Sequence, residues 1–131
     1  VPATAALAGG VLAVTGTAGG DRIRVFSDGA SLRVLDDGAE LGAFASAAVT
    51  SIVVDAGGGN DVVVVEPNVA QAATLDGGDG TNKLVAGGGP TTLLAGSGRD
   101  FLFGGTGADV FAPDGGTNDL FNVMTTDAVL P

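Results

Sequence analysis

The chain has 131 residues, of which 24 are glycine and none is cysteine, and its net charge is −10. The lack of cysteine excludes disulfides and thiolate metal sites, and the acidic charge argues against a nucleic-acid partner, because such binding requires a basic surface. No apolar run reaches the roughly 18 residues of a membrane helix, and an apolar fraction of 45% is too high for a disordered glycine-rich tract. We therefore expect one continuous folded domain with many tight turns.

The first 49 residues predict a small antiparallel unit. The alanine-rich stretch 1–10 is expected to be a flexible arm, followed by a strand over 11–15. Residues 22–26 and 31–35 flank the hairpin signal Asp28-Gly29 and alternate polar with apolar side chains, as half-buried strands do. We interpret residues 1–49 as an N-terminal arm and antiparallel strands that cap the structure following them.

From residue 50 onward, short apolar segments alternate with glycine-rich turns. The residues that end these turns recur at intervals of 9, 9, 9 and 10, at Asn82, Thr91, Asp100, Asp109 and Asp119. The apolar residues two positions later keep step, at Leu84, Leu93, Leu102, Phe111 and Phe121. Such a period is typical of a solenoid, in which each repeat buries its apolar side chains only by stacking on its neighbours. Residues 50–131 are therefore predicted to form a glycine-rich parallel β-solenoid with an apolar C-terminal segment.

The segment 104–112, with the sequence GGTGADVFA, matches the pattern G-G-x-G-x-D-x-U-x at every specified position. The segment 95–103 lacks only the first glycine, and the copies that end in Asn82 and Thr91 are degenerate. This series resembles the calcium-binding nonapeptide repeats of secreted bacterial RTX (hemolysin-type) proteins. The resemblance implies an all-β, right-handed parallel β-solenoid, an extracellular or cell-surface location, and Ca²⁺ bound between stacked turns.

In a two-strand coil of about 18 residues, every second turn lies on the same edge. One edge is thus predicted to carry Asn82, Asp100 and Asp119, and the other Thr91 and Asp109, which leaves Asp109 without an acidic partner. The resemblance implies calcium ligands from these Asp and Asn residues and from carbonyls around Gly78, Gly80, Gly96 and Gly98. Calcium takes six to eight oxygen ligands, and glycine lets carbonyls turn inward. In the alternative interpretation, each Asp or Asn bonds to the backbone of its own turn and no metal is needed.

Without His or Cys, most acid–base and nucleophile arrangements cannot be built, so we interpret the chain as non-enzymatic. Its predicted function is that of an extracellular structural module that is stabilised by calcium. The ends of a solenoid present unpaired strand edges, so head-to-tail assembly into filaments or a surface layer is a further hypothesis. Two alternatives stay open: a calcium-dependent RTX-type module of a larger secreted enzyme or toxin, and a polysaccharide-cleaving enzyme that pairs Asp100 with Asp119.

Overall fold

The computed structural model describes residues 2–113 and 117–131 and shows a nearly all-β chain. The described residues form a 3₁₀ turn (Ser46–Ala48) and the strands β1 (Thr4–Ala8), β2 (Val11–Thr15), β3 (Arg22–Ser27), β4 (Ser31–Asp36), β5 (Ala39–Ala45), β6 (Ser51–Asp55), β7 (Val62–Val65), β8 (Ala72–Asp76), β9 (Lys83–Val85), β10 (Thr91–Leu94), β11 (Phe101–Phe103), β12 (Val110–Ala112), β13 (Asp119–Phe121) and β14 (Ala128–Val129). Among the residues that the structure describes, no helix has the length and apolarity needed to cross a membrane.

The strands form two sheets, and the chain alternates between them. The first sheet has the order β1-β2-β6-β8-β10-β12-β14, and the second has the order β5-β4-β3-β7-β9-β11-β13. From β2 in the first sheet and from β3 in the second, neighbouring strands are parallel. The two sheets are therefore the two sides of a β-solenoid of about four coils, and the predicted parallel β-solenoid is confirmed.

The coils differ in length. Equivalent residues are 40 positions apart across the first coil, 21 across the second and 18 thereafter. The first coil is long because the antiparallel strands β4 and β5 are inserted after β3. Parallel pairing thus begins at β2, much earlier than the predicted start near residue 50, because the insertion hides the period.

The predicted flexible arm is instead strand β1. It pairs antiparallel with β2, with Ala5 opposite Val14 and Leu7 opposite Leu12. Ala5 and Leu7 also pack against the core, so this alanine-rich stretch is held both by backbone hydrogen bonds and by apolar contact.

The core consists of inward-facing columns that run along the solenoid. Leu75, Leu93 and Phe111 occupy matching positions of neighbouring strands in the first sheet, and all three are fully buried. Leu84 and Leu102 form the corresponding column in the second sheet. A strand of three or four residues buries only one or two side chains, so stability comes from the stacking of coils.

Candidate metal centre

The turns that lead from the first sheet to the second all lie on one side of the solenoid. They run over residues 16–21, 56–61, 77–82, 95–100 and 113–118, and we call this side of the solenoid the first edge. Each turn ends in an Asp or an Asn, in chain order Asp21, Asp61, Asn82, Asp100 and Asn118. Of the last turn, residues 114–116, including the predicted turn glycines Gly115 and Gly116, lie outside the described residues.

These five side chains link successive coils. In chain order, the backbone N–H of each of the first four residues donates to Oδ1 of the following residue in the series, at distances of 2.7, 2.9, 2.8 and 2.9 Å. We call this series the first-edge ladder. Asn82 and Asp100 share this edge, as predicted.

The predicted place of Asp119 in this series is wrong. Asn118, which is 18 residues after Asp100, accepts the Asp100 N–H, and Asp119 begins β13 opposite Phe101. The Asp119 carboxylate accepts a hydrogen bond from Arg99 Nη2 at 2.8 Å. The interval of ten residues between Asp109 and Asp119 was the sign of this error, because a stacked coil of 18 residues consists of two intervals of nine.

Glycine fixes the backbone of three first-edge turns. The second and fourth residues of each have left-handed φ angles: Gly57 and Gly59 (84° and 80°), Gly78 and Gly80 (69° and 93°), Gly96 and Gly98 (77° and 91°). A Cβ on Gly96 would lie 2.2 Å from the Gly78 carbonyl oxygen of the coil below. These turns therefore share one conformation and stack too closely for any side chain at these positions.

The amide of Asn82 shows where the carbonyls of its turn point. Asn82 Nδ2 donates to the carbonyl oxygen of Gly77 at 2.8 Å and lies 3.4 and 3.3 Å from those of Gly78 and Asp79. Three carbonyl oxygens of one turn thus converge on a single nitrogen. In this turn, the side chain bonds to the backbone of its own turn, as the alternative interpretation expects.

Asp61 and Asp100 present an oxygen in place of that nitrogen. Among the described residues, Oδ2 of each is buried and has no hydrogen-bond partner. Burial, with the like charges of Asp21 and Asp36, raises the pKa of Asp61 to about 6. Burial also raises the pKa of Asp100, against the lowering effect of hydrogen bonds from Asn82. A buried carboxylate oxygen without a donor is unfavourable unless a proton or a cation neutralises it.

On the opposite side of the solenoid, the second edge, backbone N–H groups satisfy the side chains of a similar series. Thr91 N–H donates to Asp109 Oδ1 at 2.9 Å, and Asp109 N–H donates to Asp127 Oδ1 at 2.8 Å. Asp109 Oδ2 accepts the Gly105 N–H at 2.9 Å. Burial raises the pKa of Asp109, while the N–H donors of Gly105 and Thr91 oppose that rise. Contrary to the prediction, Asp109 therefore has an acidic partner on the same edge, Asp127. The sequence pattern did not reveal Asp127 because the turn before it contains no glycine.

Four residues of the two edges were not among the predicted site residues: Asp21, Asp61, Asn118 and Asp127. The last two were detectable, since each lies 18 residues after a predicted site residue. Asp61 lies 21 residues before Asn82, outside the regular period. In the copy that matches the motif at every position, 104–112, both carboxylate oxygens of Asp109 accept hydrogen bonds. The carboxylate oxygens without a partner belong to Asp61 and Asp100, in less regular copies.

The turn 95–100 combines a carboxylate oxygen that is buried and has no partner among the described residues with the paired left-handed glycines of turn 77–82, whose carbonyls point inward. Carboxylate and carbonyl oxygens are the ligands that calcium prefers, so these residues fit a calcium ion. The turn 104–109, in which both Asp109 oxygens already accept backbone N–H groups, fits one less well.

Comparison with known proteins agrees with this geometry. Residues 74–93 and 86–120 match the family model of the RTX calcium-binding nonapeptide repeat (4 copies). Comparisons with curated proteins and with solved structures give no match. The resemblance predicted from the sequence is thus confirmed for residues 74–120, which match the RTX calcium-binding nonapeptide repeat.

Proposed function

We propose that the chain is a non-enzymatic structural β-solenoid module, acting outside the cell or on its surface, that calcium stabilises at the first edge. The observation that carries the proposal is the Oδ2 atom of Asp100, which is fully buried and has no hydrogen-bond partner among residues 2–113 and 117–131. A calcium ion there would neutralise the carboxylate and offset the repulsion between inward-pointing carbonyls.

The proposal assigns different roles to the predicted site residues. Asp100, with carbonyl groups around Gly96 and Gly98 and the stacked Gly78 and Gly80, would hold the ion. Asn82 would support the site through the ladder, since both polar atoms of its side chain, Oδ1 and Nδ2, already form hydrogen bonds. Asp119 and Asp109 would stay with their present partners.

Two observations support a structural module over an enzyme. Asp100 is 0% exposed and cannot reach a polysaccharide substrate, while Asp119 is bound to Arg99. The turns that end in Asn82 and Asp109 are satisfied without metal. We therefore expect the solenoid to fold in EDTA and to gain stability with calcium. The module of a larger secreted enzyme or toxin would instead unfold without calcium.

The test is a thermal melt followed by far-UV circular dichroism, in EDTA and in millimolar calcium. With a dissociation constant of roughly 10⁻⁴–10⁻³ M, millimolar calcium adds up to about 1.4 kcal/mol for each ion, which raises the melting temperature by a few degrees. Asp100→Asn should lose part of this rise. Asp79→Asn is the matched control, because Asp79 is exposed and its side chain contacts Ser97 rather than the turn carbonyls.

A wild-type melt that calcium does not change would overturn the proposal. β structure that forms only after calcium is added would favour the larger secreted enzyme or toxin. Equal calcium responses of Asp100→Asn and wild type would place the ion elsewhere.

Head-to-tail assembly is the finer part of the proposal. The N-terminal end is formed by the edge strands β1 and β5, and Leu7, Leu41 and Phe44 pack inward there. The terminal strands at the other end are β13 and β14, and their surroundings expose large apolar side chains: Phe121, Val123, Val129 and Leu130, each 41–49% exposed. This apolar end supports docking of a second copy of the chain.

A further inference from the structure

The two asparagines of the first-edge ladder behave alike. Asn82 Nδ2 donates to the carbonyl of Gly77, five residues earlier, and Asn118 Nδ2 donates to the carbonyl of Pro113, also five residues earlier. In both turns the amide group therefore satisfies an inward-pointing carbonyl oxygen. Since a turn carbonyl can only accept, whatever fills this position must be a donor or a cation.

The aspartates at the equivalent places lack such a donor. The turns 56–61 and 95–100 repeat the paired left-handed glycines of turn 77–82. In all three, Oδ1 of the final residue accepts the N–H of the preceding coil. The second side-chain atom is then Nδ2 in Asn82 but Oδ2 in Asp61 and Asp100, and these two oxygens are the unpartnered ones.

Asp21 shows the arrangement that serves a carboxylate without metal. In its turn, 16–21, no glycine has a left-handed φ. Asp21 Oδ2 instead accepts the Thr17 N–H at 2.7 Å. The backbone N–H and the hydroxyl of Thr17 face the side chain in this turn, whereas carbonyls face it in turn 77–82. The unpartnered aspartates therefore occur in the turns whose backbone suits a cation.

We infer that the Asn82 amide is a built-in substitute for a bound cation, so that the turns 56–61 and 95–100 each take a calcium ion while the turn between them takes none. The inference rests on the proposed function and extends it. The site at Asp61 lies upstream of the matched residues 74–120. Its ligands would be Asp61 Oδ2, which belongs to a residue 1% exposed, and the carbonyls of residues 56–58.

The test exchanges amide and carboxylate at matched positions and uses two readouts, calcium stoichiometry by calorimetry and melting temperature in EDTA. Wild type should bind one ion for each of the two turns with an unpartnered Oδ2. Asp61→Asn should bind one ion fewer and melt several degrees higher in EDTA, because the new amide donates to its own turn. Asn82→Asp should bind one ion more and melt several degrees lower in EDTA.

The control is again Asp79→Asn, which removes the same charge from an exposed position and should leave the stoichiometry unchanged. An Asp61→Asn variant that keeps the wild-type stoichiometry, or that melts no higher in EDTA than Asp79→Asn, would overturn the inference. Should one exchange variant fail to fold, the other decides by the same two readouts.

The outcomes also separate this inference from the proposed function. A single ion that Asp100→Asn abolishes and Asp61→Asn retains would leave the proposed function standing and overturn the inference. If wild type binds no calcium, the proposed function and both ion sites fail. In that case, the melting temperatures in EDTA still test whether the Asn82 amide replaces a missing positive group. A rise for Asp61→Asn and a fall for Asn82→Asp support that part of the inference, and unchanged melting temperatures overturn it.

Discussion

A glycine can be required by its left-handed φ angle or by close contact with a neighbouring coil, and Gly29 and Gly98 separate these two requirements. Gly98 (φ 91°) and Gly29 (φ 105°) are both left-handed. A Cβ on Gly98 would lie 2.5 Å from the Gly80 carbonyl oxygen, while a Cβ on Gly29 would meet no atom within 4 Å. We expect Gly29→Ala to lose about 1–2 kcal/mol from backbone strain alone. Gly98→Ala should lose clearly more, since the coils must also move apart.

Urea unfolding of the two variants measures both losses, provided that the slope of the transition stays constant. Equal losses would mean that the stacked turns adjust to a methyl group without strain, and would contradict the close contact between coils.

At the scale of single residues, the sequence showed most of the positions that end the turns but not what each side chain does there. Asp and Asn are interchangeable in the repeat pattern, yet Asn82 donates where Asp100 can only accept. Asp109 fits the motif better than Asp100, although a backbone N–H already satisfies it. The direction of turn N–H and C=O groups decides between these cases, and it follows from φ angles that the sequence does not state.

At the scale of strands, alternate side chains of one short segment have opposite surroundings. Leu93 is 0% exposed and stands between Leu75 and Phe111, while its neighbour Leu94 points outward and is only partly buried. We expect Leu93→Ala to lose about 2–5 kcal/mol, as truncated core leucines do, and Leu94→Ala to lose much less. Chemical denaturation of both variants tests this, and the reverse order would mean that the strand register is wrong.

The regular strands were predictable because their period is short and their apolar positions are few. The nine-residue period did not predict the equivalent residues correctly at two places. The inserted strands β4 and β5 lengthen the first coil, so equivalent residues such as Asp21 and Asp61 lie 40 positions apart. In the last coil, Asn118 precedes Asp119, and the pattern alone favoured the aspartate. The pairing of β1 with β2 was missed because alanine-rich strands carry a weak pattern.

At the scale of the whole molecule, the proposed head-to-tail assembly requires the exposed apolar end. The double variant Phe121→Arg, Leu130→Arg should remain monomeric at concentrations where wild type associates, since the charges would be buried in the contact. Val53→Arg is the matched control: Val53 is 41% exposed, like Phe121, but lies on the side of the solenoid within β6. Sedimentation velocity across a concentration series measures the association.

A wild-type protein that stays monomeric throughout would contradict the assembly proposal. Association that Val53→Arg abolishes but the double variant retains would assign the contact to the flat side of the first sheet.

The first-edge ladder has a direction, and this direction gives the molecule an order of assembly in time. Each bond runs from the backbone of one coil to a side chain of the following coil, never the reverse, from Asp21 through to Asn118. The backbone N–H of each ladder residue is therefore satisfied only once the following coil is in place. In chain order, β2 and β3 come before the regular coils and provide the edges on which β6 and β7 are laid. Each later coil then completes the ladder bond of the coil before it, so that, among the coils of the ladder, loss of structure should begin at the last one and proceed one coil at a time.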